Sequence, residues 1–395
     1  MKDKYSLLYD LMGEVTDPRS KRGIRHTLSD VIFILLVSVI SGIESADNIE
    51  DFVEENLDWF SRYCELRHGV PSQDTYLRLL AMIRPEAFKE VFQVWMKEIW
   101  GDLEEPRHIS IDGKTLRRSF HRAVGQPALH SVAAFVSDLG LVIGQESVNV
   151  KENEIIAIPR LLKVIDLKGA TVTIDAMGCQ TAIAREIIDG GGDYLLQVKG
   201  NQPTLKEQIE DYFDDVCRSD RAHYDPRPKV EESVEIDGDH GRIEERTCLL
   251  SHDLSWIDQS SSWAKLSAIA RIERRCEDKQ TGVVRHDMSY YIVSNTNMTA
   301  AEINHYARSH WAIENSLHWV LDVTFNEDQS RVRSGYAAEN LAIIRRLSLN
   351  LLRTAPSPSH KKTKQNVSIA RRRQFCLMSP TYREKVLRVS SENLS

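Results

Sequence analysis

Two aspartates in this chain sit in matching local contexts. Asp112 ends the run Ile109-Ser110-Ile111 and is followed by Gly113-Lys114-Thr115, and Asp175 ends Val172-Thr173-Ile174 and is followed by Ala176-Met177-Gly178. Strand ends are where functional groups converge in an open α/β sheet, although an aspartate there also serves simply to cap the next turn. A third carboxylate, Glu314, lies in the segment 305–328, whose apolar residues recur with helical spacing. On an ideal helix Glu314, Leu317, His318 and Leu321 share one face. A glutamate there must reach solvent or be neutralised, because an unpaired buried charge is costly. Carboxylates that converge repel one another, and hard divalent cations such as Mg²⁺ or Mn²⁺ are their natural counter-charge. Two such ions about 4 Å apart can activate a water or a 3′-hydroxyl and stabilise the leaving oxygen of a phosphodiester.

The elements that must position these groups follow from the chain in order. Residues 1–100 read as an all-helical domain: Thr27 or Ser29 caps an apolar helix, 44–60 is amphipathic with an acidic outer face, and Pro85 starts the last helix. Such short helices suit a helix-turn-helix or a plain bundle equally. From Pro106 the pattern changes to three strands in a meander, then helix, strand, helix, strand, helix, up to Val216. That is the order of a ribonuclease-H-like α/β fold, a mixed sheet with flanking helices. It is expected to occupy 105–350, with a β-rich insertion at about 217–265 and a second strand pair returning to the sheet. The helix after Asp328 is expected to turn its leucines inward and its arginines outward. Beyond it, 351–395 reads as a basic tail carrying Lys361, Lys362, Lys364, Arg371, Arg372 and Arg373.

At 395 residues the chain can bury a sizeable core, and its 42% hydrophobic and 28% charged content is ordinary for a globular protein. Six scattered cysteines form no C-x-x-C pair, which argues against a zinc ribbon or a disulfide framework and fits a reducing compartment. The longest apolar run, 31–40, is too short for a membrane span. With no signal-peptide pattern either, a cytoplasmic protein is expected. The net charge of −7 does not advertise a nucleic-acid binder, but local basic stripes such as Lys21, Arg22 and Arg25 can carry phosphate contacts on an acidic protein.

Five motifs carry a resemblance: ISIDGKT (109–115), TVTIDAMGCQ (171–180), YLLQVKGNQ (194–202), HGRIE (240–244) and RSHWAIENSLHWVLDVTFNED (308–328). With them the chain resembles the H-repeat-associated (Rhs-linked) transposases, a branch of the bacterial insertion-sequence DDE transposases, over nearly its whole length. The resemblance implies a ribonuclease-H-like core, two divalent metal ions (Mg²⁺ or Mn²⁺), and Asp112, Asp175 and Glu314 as the catalytic triad. It implies cleavage and strand transfer on double-stranded DNA, and synapsis of two element ends makes a homodimer the expected assembly. A stand-alone nuclease of the same fold, or a DNA-binding protein whose catalysis has decayed, are the rival readings. Related transposases carry a Tyr, Arg, Glu, Lys signature, whose Tyr, Arg and Lys positions hold Ala307, His310 and Leu321 here. His310, Lys199 and Arg331 stand as substitutes. Asp322 is a second candidate for the third metal ligand, with Glu327 and Asp328 behind it.

Other candidates each have a plain alternative. Lys114 and the Lys199-Gly-Asn201-Gln turn are placed to meet a DNA backbone, or are solvated strand-end residues. His318 is a metal or phosphate contact, or a hydrogen-bonded structural histidine. Trp256 and Trp263 are base-stacking residues or core, with core favoured. Lys361, Lys362, Arg371 and Arg372 contact phosphates or belong to a solvated tail.

Overall fold

The computed structural model describes residues 4–20, 22–100, 107–120, 125, 127–148, 153–217, 230–238, 241–358 and 367–388. Six helices come first: α1 (Lys4–Glu14), α2 (Leu28–Ile40), α3 (Ala46–Glu55), α4 (Leu57–Phe60), α5 (Gln73–Met82) and α6 (Pro85–Trp100). Thr27 caps α2 by accepting the Asp30 amide at 3.1 Å, and Val31 to Ile40 are buried on every side of that helix.

Among the described residues nine strands follow: β1 (Arg107–Thr115), β2 (His130–Val136), β3 (Leu141–Val148), β4 (Ala170–Ile174), β5 (Asp193–Val198), β6 (Val230–Asp237), β7 (Arg242–Ser251), β8 (Ala268–Asp278) and β9 (Val284–Val293). They form one sheet in the order β3-β2-β1-β4-β5-β9-β8-β7-β6. β2 is antiparallel to β1 and β3, while β4 runs parallel to β1 and β5 parallel to β4. This half has the ribonuclease-H arrangement expected from the order of elements. The stretch read as an insertion is no separate excursion. β9 pairs with β5, and β8, β7 and β6 extend the sheet beyond it. The extension has its own apolar core, in which Cys248, Leu250, Ala270 and Ile272 join Ile303 and Ala307.

The later helices are α7 (Glu154–Leu162), α8 (Thr181–Asp189), α9 (Pro203–Cys217), α10 (Ala300–His310), α11 (Trp319–Val323), α12 (Ala337–Thr354), α13 (Ile369–Met378) and α14 (Pro380–Leu387). α7 packs on one face of the meander and α10 on the other: Gly113 of β1 meets Glu154 of α7, whereas its alternate neighbour His108 stacks on Tyr306 of α10 at 4.8 Å. α12 lies between the N-terminal helices and the β3 edge, where Asn350 bonds both the amide and the carbonyl of Val142 (3.0 and 2.7 Å). A side-chain amide thereby satisfies backbone groups that an edge strand would leave open. At the other end of α12 the chain approaches Ala81 so closely that a Cβ on Gly335 (φ +50°) would lie 2.4 Å from its carbonyl oxygen. Asn340 there takes the carbonyls of Leu80 and Ile83, both at 2.8 Å, which finish α5.

Two expectations fail here. The α12 arginines do not all face outward, because neighbours surround the helix: Arg345 pairs with Glu44 at 2.8 Å and Arg346 with Glu327 at 3.0 Å, both arginines buried. Nor is 367–388 a solvated basic tail. Arg372 donates to the carbonyls of Leu352 (2.9 Å) and Ala355 (2.5 Å), which the end of α12 leaves without helical partners. Arg373 joins Glu44, and buried Arg383 lies over the Phe52 and Trp59 rings at 4.9 and 4.7 Å. Arg371 is exposed, 5.4 Å from the Phe375 ring. Lys361, Lys362 and Lys364 lie outside the described residues. No helix among the described residues is long and apolar enough to cross a membrane.

Candidate active site

β1 alternates strictly. Ile109 and Ile111 point into the apolar core, and His108, Ser110, Asp112 and Lys114 share the opposite face. Period-2 reading would put that polar face in water, yet His108, Ser110 and Lys114 are all buried. In register beside it, β4 contributes Thr171 and Thr173, with Asp175 just past its end. β5 contributes Leu195 and Gln197, with Lys199 just past its end. Hydrogen bonds join the rows: Thr173 meets His108 at 2.7 Å and His310 at 2.9 Å.

Over this floor lies the end of α10. The expected single helix through 305–328 breaks there. α10 ends at His310, residues Glu314–His318 form a π-helical turn closed by the Trp319 amide on the Glu314 carbonyl, and α11 follows. Such wide turns recur at functional sites because they re-aim side chains. Leu317, His318 and Leu321 are buried, whereas Glu314 is exposed, so the one-face expectation does not hold for it. Glu314 instead lines a cleft of about 210 Å³ together with Asp112 and Asp175. Lys199, Gln197, Tyr291, His310 and Trp311 complete its wall.

The three carboxylates are held differently. Asp112 is half-buried, which works to raise its carboxyl, but the hydrogen bond and charge of His318 (Nε2 to Oδ2, 3.1 Å), helped by His310, outweigh burial and hold it below the ordinary range. Asp175 accepts the amides of Met177 (3.1 Å) and Gly178 (3.4 Å) and so also caps its turn. Its carboxyl is nevertheless pushed up, first by burial and then by the charges of Glu154 and Asp112. Glu314 makes no hydrogen bond or ion pair among the described residues. His310 is held below its usual imidazole value by burial, to which Lys199 adds and which Asp112 opposes.

Other expected residues fall elsewhere. Lys114 does not face a DNA groove: it is buried against Asp322, Glu327 (3.3 Å) and the His318 carbonyl (3.3 Å). Asp322 is thereby tied to Lys114, Glu327 is buried with Arg346, and Asp328 pairs with Arg117 at 3.3 Å. None of the three carboxylates lines the cleft. Asn201 turns its amide onto the Ala176 carbonyl (2.6 Å), bracing the turn after Asp175. Arg331 lines a different groove, between α2, α5 and the start of α12. Trp263 is core, while Trp256 is half-exposed against Tyr212. The tryptophan at the cleft is Trp311, 66% exposed.

Sequence reasoning passed over Glu154. An acid in the first turn of a helix reads as ordinary dipole compensation, and nothing local marks this one. In the fold its carboxylate bonds His130, whose other ring nitrogen lies 2.7 Å from the Thr115 hydroxyl, and it lies against β1 at Gly113.

Carboxylate oxygens are the donors that Mg²⁺ and Mn²⁺ prefer. The mutual repulsion that raises Asp175 is what a bound cation would relieve. The donor set therefore fits a hard divalent ion, although among the described residues no three His, Cys, Asp or Glu side chains are already gathered around one point.

The sheet thus brings two strand-end aspartates and a glutamate from the turn after α10 onto one cleft. Residues 103–351 match the transposase DDE domain family and residues 9–96 the DDE_Tnp_1-associated family, and the chain belongs to the DDE transposases. "Putative transposase YncI" of Escherichia coli O157:H7 is 39% identical over 98% of this chain and 95% of its own length. "H repeat-associated putative transposase YhhI" of E. coli K12 is 38% identical over 86% of this chain and 88% of its own. The solved synaptic complex of piggyBac transposase with hairpin DNA aligns over 97% of this chain and 80% of that one, at 13% identity and a TM-score of 0.42.

Proposed function

We propose that this chain cleaves DNA strands at the ends of an insertion element and joins them to a target, using Asp112, Asp175 and Glu314 to hold two Mg²⁺ or Mn²⁺ ions. The observation that carries this reading is that these three carboxylates, far apart in the chain, line one cleft. Bound divalent ions supply Lewis-acid activation of the attacking oxygen and charge stabilisation of the leaving one. The chain's own residues do the rest. His318 fixes the Asp112 carboxylate, the Met177 and Gly178 amides fix Asp175, and Asn201 braces the turn that carries them. The charge of Glu154 reaches Asp175, and Glu154 is a candidate for a further ligand. Lys199 puts a positive charge at the cleft wall, where a DNA phosphate would approach. Trp311 offers an exposed ring on which a base can stack. Residues 1–100 would act as a helical accessory domain and 105–350 as the catalytic domain, working in the cytoplasm on duplex DNA as a homodimer that pairs two ends.

The test incubates the protein with its element's terminal DNA, a target duplex and Mg²⁺. The expected result is cleavage and joined product, both falling by about 10²–10³-fold in Asp112→Ala and Glu314→Ala, as loss of a transition-state electrostatic partner does elsewhere. Cleavage that survives either substitution refutes the assignment. Cleavage without joining, even from pre-cleaved ends, identifies a nuclease instead.

A further inference from the structure

The N-terminal helices enclose a second groove, of about 550 Å³, that shares no lining residue with the carboxylate cleft. Arg19, Arg22, Arg25, Arg78, His26 and His68 line it, and among the described residues no acidic side chain does. Arg19 is a structural member: it grips Asp17 at 2.6 Å and the His26 carbonyl at 2.9 Å, which folds the loop between α1 and α2. Arg22, Arg25 and Arg78 are exposed, and among the described residues they make no hydrogen bond or ion pair. Three guanidinium groups thus face solvent with their donors uncommitted.

The lining of this groove points to an anion in two further ways. His26 is only 8% exposed, and its Nδ1 has no hydrogen-bond partner among the described residues. Burial lowers its pKa, and the charges of His68, Arg19 and Arg25 add to that against the opposing charge of Asp30. Ser72 stands at the N-cap of α5 but spends its hydroxyl on Thr75 (3.2 Å), not on the helix amides. Both hydroxyls line the groove at the positive end of that helix dipole, with Glu50 taking only the Gln73 amide from outside (2.9 Å).

We propose that this groove grips the phosphate backbone of duplex DNA, through Arg22, Arg25 and Arg78, at a distance from the strand being cut. The inference rests on the transposase reading above. A chain of net charge −7 repels DNA on average. Its grip must therefore be concentrated where arginines are clustered and acids are missing. Arginines spread around an open groove suit successive phosphates of a duplex, which carry no sequence information but set orientation.

The test measures binding of a labelled duplex to the full chain by fluorescence anisotropy, without divalent metal, across a series of salt concentrations. The triple variant Arg22→Ala/Arg25→Ala/Arg78→Ala is compared with wild type and with the single charge reversal Arg78→Glu. Each lost phosphate contact flattens the plot of log K against log salt by about 0.9. The triple variant should therefore lose roughly 2–3 in slope, and at least about tenfold in low-salt affinity. The charge reversal alone should lower both. Unchanged slope and affinity in both variants overturn the proposal. Inorganic phosphate that raises the melting temperature through these arginines, with the DNA slope unaltered, also overturns it, because the groove then holds a free anion only. If wild type fails to cleave with metal while the triple variant still loses slope, the transposase reading falls and the groove stands.

Discussion

Asp112 and Lys114 lie two residues apart on the same face of β1, in opposite electrostatic settings. Around Lys114 every charge is answered: Asp322 and Glu327 meet its ammonium, and Arg346 meets Glu327 from the far side at 3.0 Å. Around Asp112 the acids outnumber their partners. His318 answers Asp112, but Asp175 is pushed up by burial and then by its acidic neighbours, and Glu314 has no partner among the described residues. A compensated network holds a fold together, and an uncompensated one can remain in a stable fold only where the deficit has a use. The difference separates the paired carboxylates around Lys114 from those proposed to act in the cleft more sharply than residue type or spacing does.

The strongest test of that contrast removes one charge from each region. Glu327→Gln takes away the shared partner of two buried cations and is expected to destabilise the fold by about 3–5 kcal/mol, the usual cost of orphaning a buried charge. Asp175→Asn deletes a charge that burial, Glu154 and Asp112 already disfavour, and asparagine can still cap the turn. Its stability should equal or slightly exceed that of wild type, while metal-dependent cleavage is lost. Urea denaturation of the two variants checks both, and comparable losses would erase the distinction.

This contrast shows what the sequence could reveal. Asp112, Asp175 and the order of strands were legible because each depends on local signals: a β-branched run, an acid at its end, a turn after it. The sharing of a cleft with Glu314 was readable only through the family resemblance, since the π-turn that aims it has no evident signature. Lys114, Arg345, Arg346 and Arg372 were misplaced for one reason. Single-residue polarity says solvent, and only tertiary contact supplies the buried counter-charge or helix-end carbonyl that makes an inward arginine or lysine stable. Glu154 was missed because its neighbours, Gly113 and His130, come from two strands earlier in the chain.

The same face of β1 carries a third case, a buried side chain that avoids charge. His108 is 1% exposed, and burial lowers its pKa from 6.5 to about 3, with His310 and His305 adding to the shift. The folded state keeps the ring neutral while the unfolded chain protonates below about 6.5. The stability this contributes is fully present above pH 6.5 and is lost as pH falls toward 3, at up to about 1.4 kcal/mol per pH unit. Glu327, also held below its ordinary value, contributes stability that fades only below about 4.5. Between pH 6.5 and 5 His108 shares the loss with His26 and His310, which burial also holds below the usual imidazole value. His108→Gln should flatten the stability profile in that window and leave the fall below pH 4.5 in place. A profile identical to wild type would show that the ring titrates normally.

The smallest expected effect tests whether Glu154 belongs to the uncompensated region. A Cβ at Gly113 would lie 2.2 Å from the Glu154 carboxylate oxygen and 2.9 Å from the His130 ring nitrogen. Both contacts are side-chain ends and not backbone, so Gly113→Ala should be accommodated by displacing Glu154, at a cost of about 1 kcal/mol. Asp112, Asp175 and Glu314 remain in the chain. With Glu154 moved aside, the rise in melting temperature produced by Mn²⁺ should shrink, because a ligand that stabilises the folded state does so in proportion to how tightly it binds. A Gly113→Ala variant that loses stability but keeps the full Mn²⁺ response would place Glu154 with the compensated charges, as the partner of His130 alone.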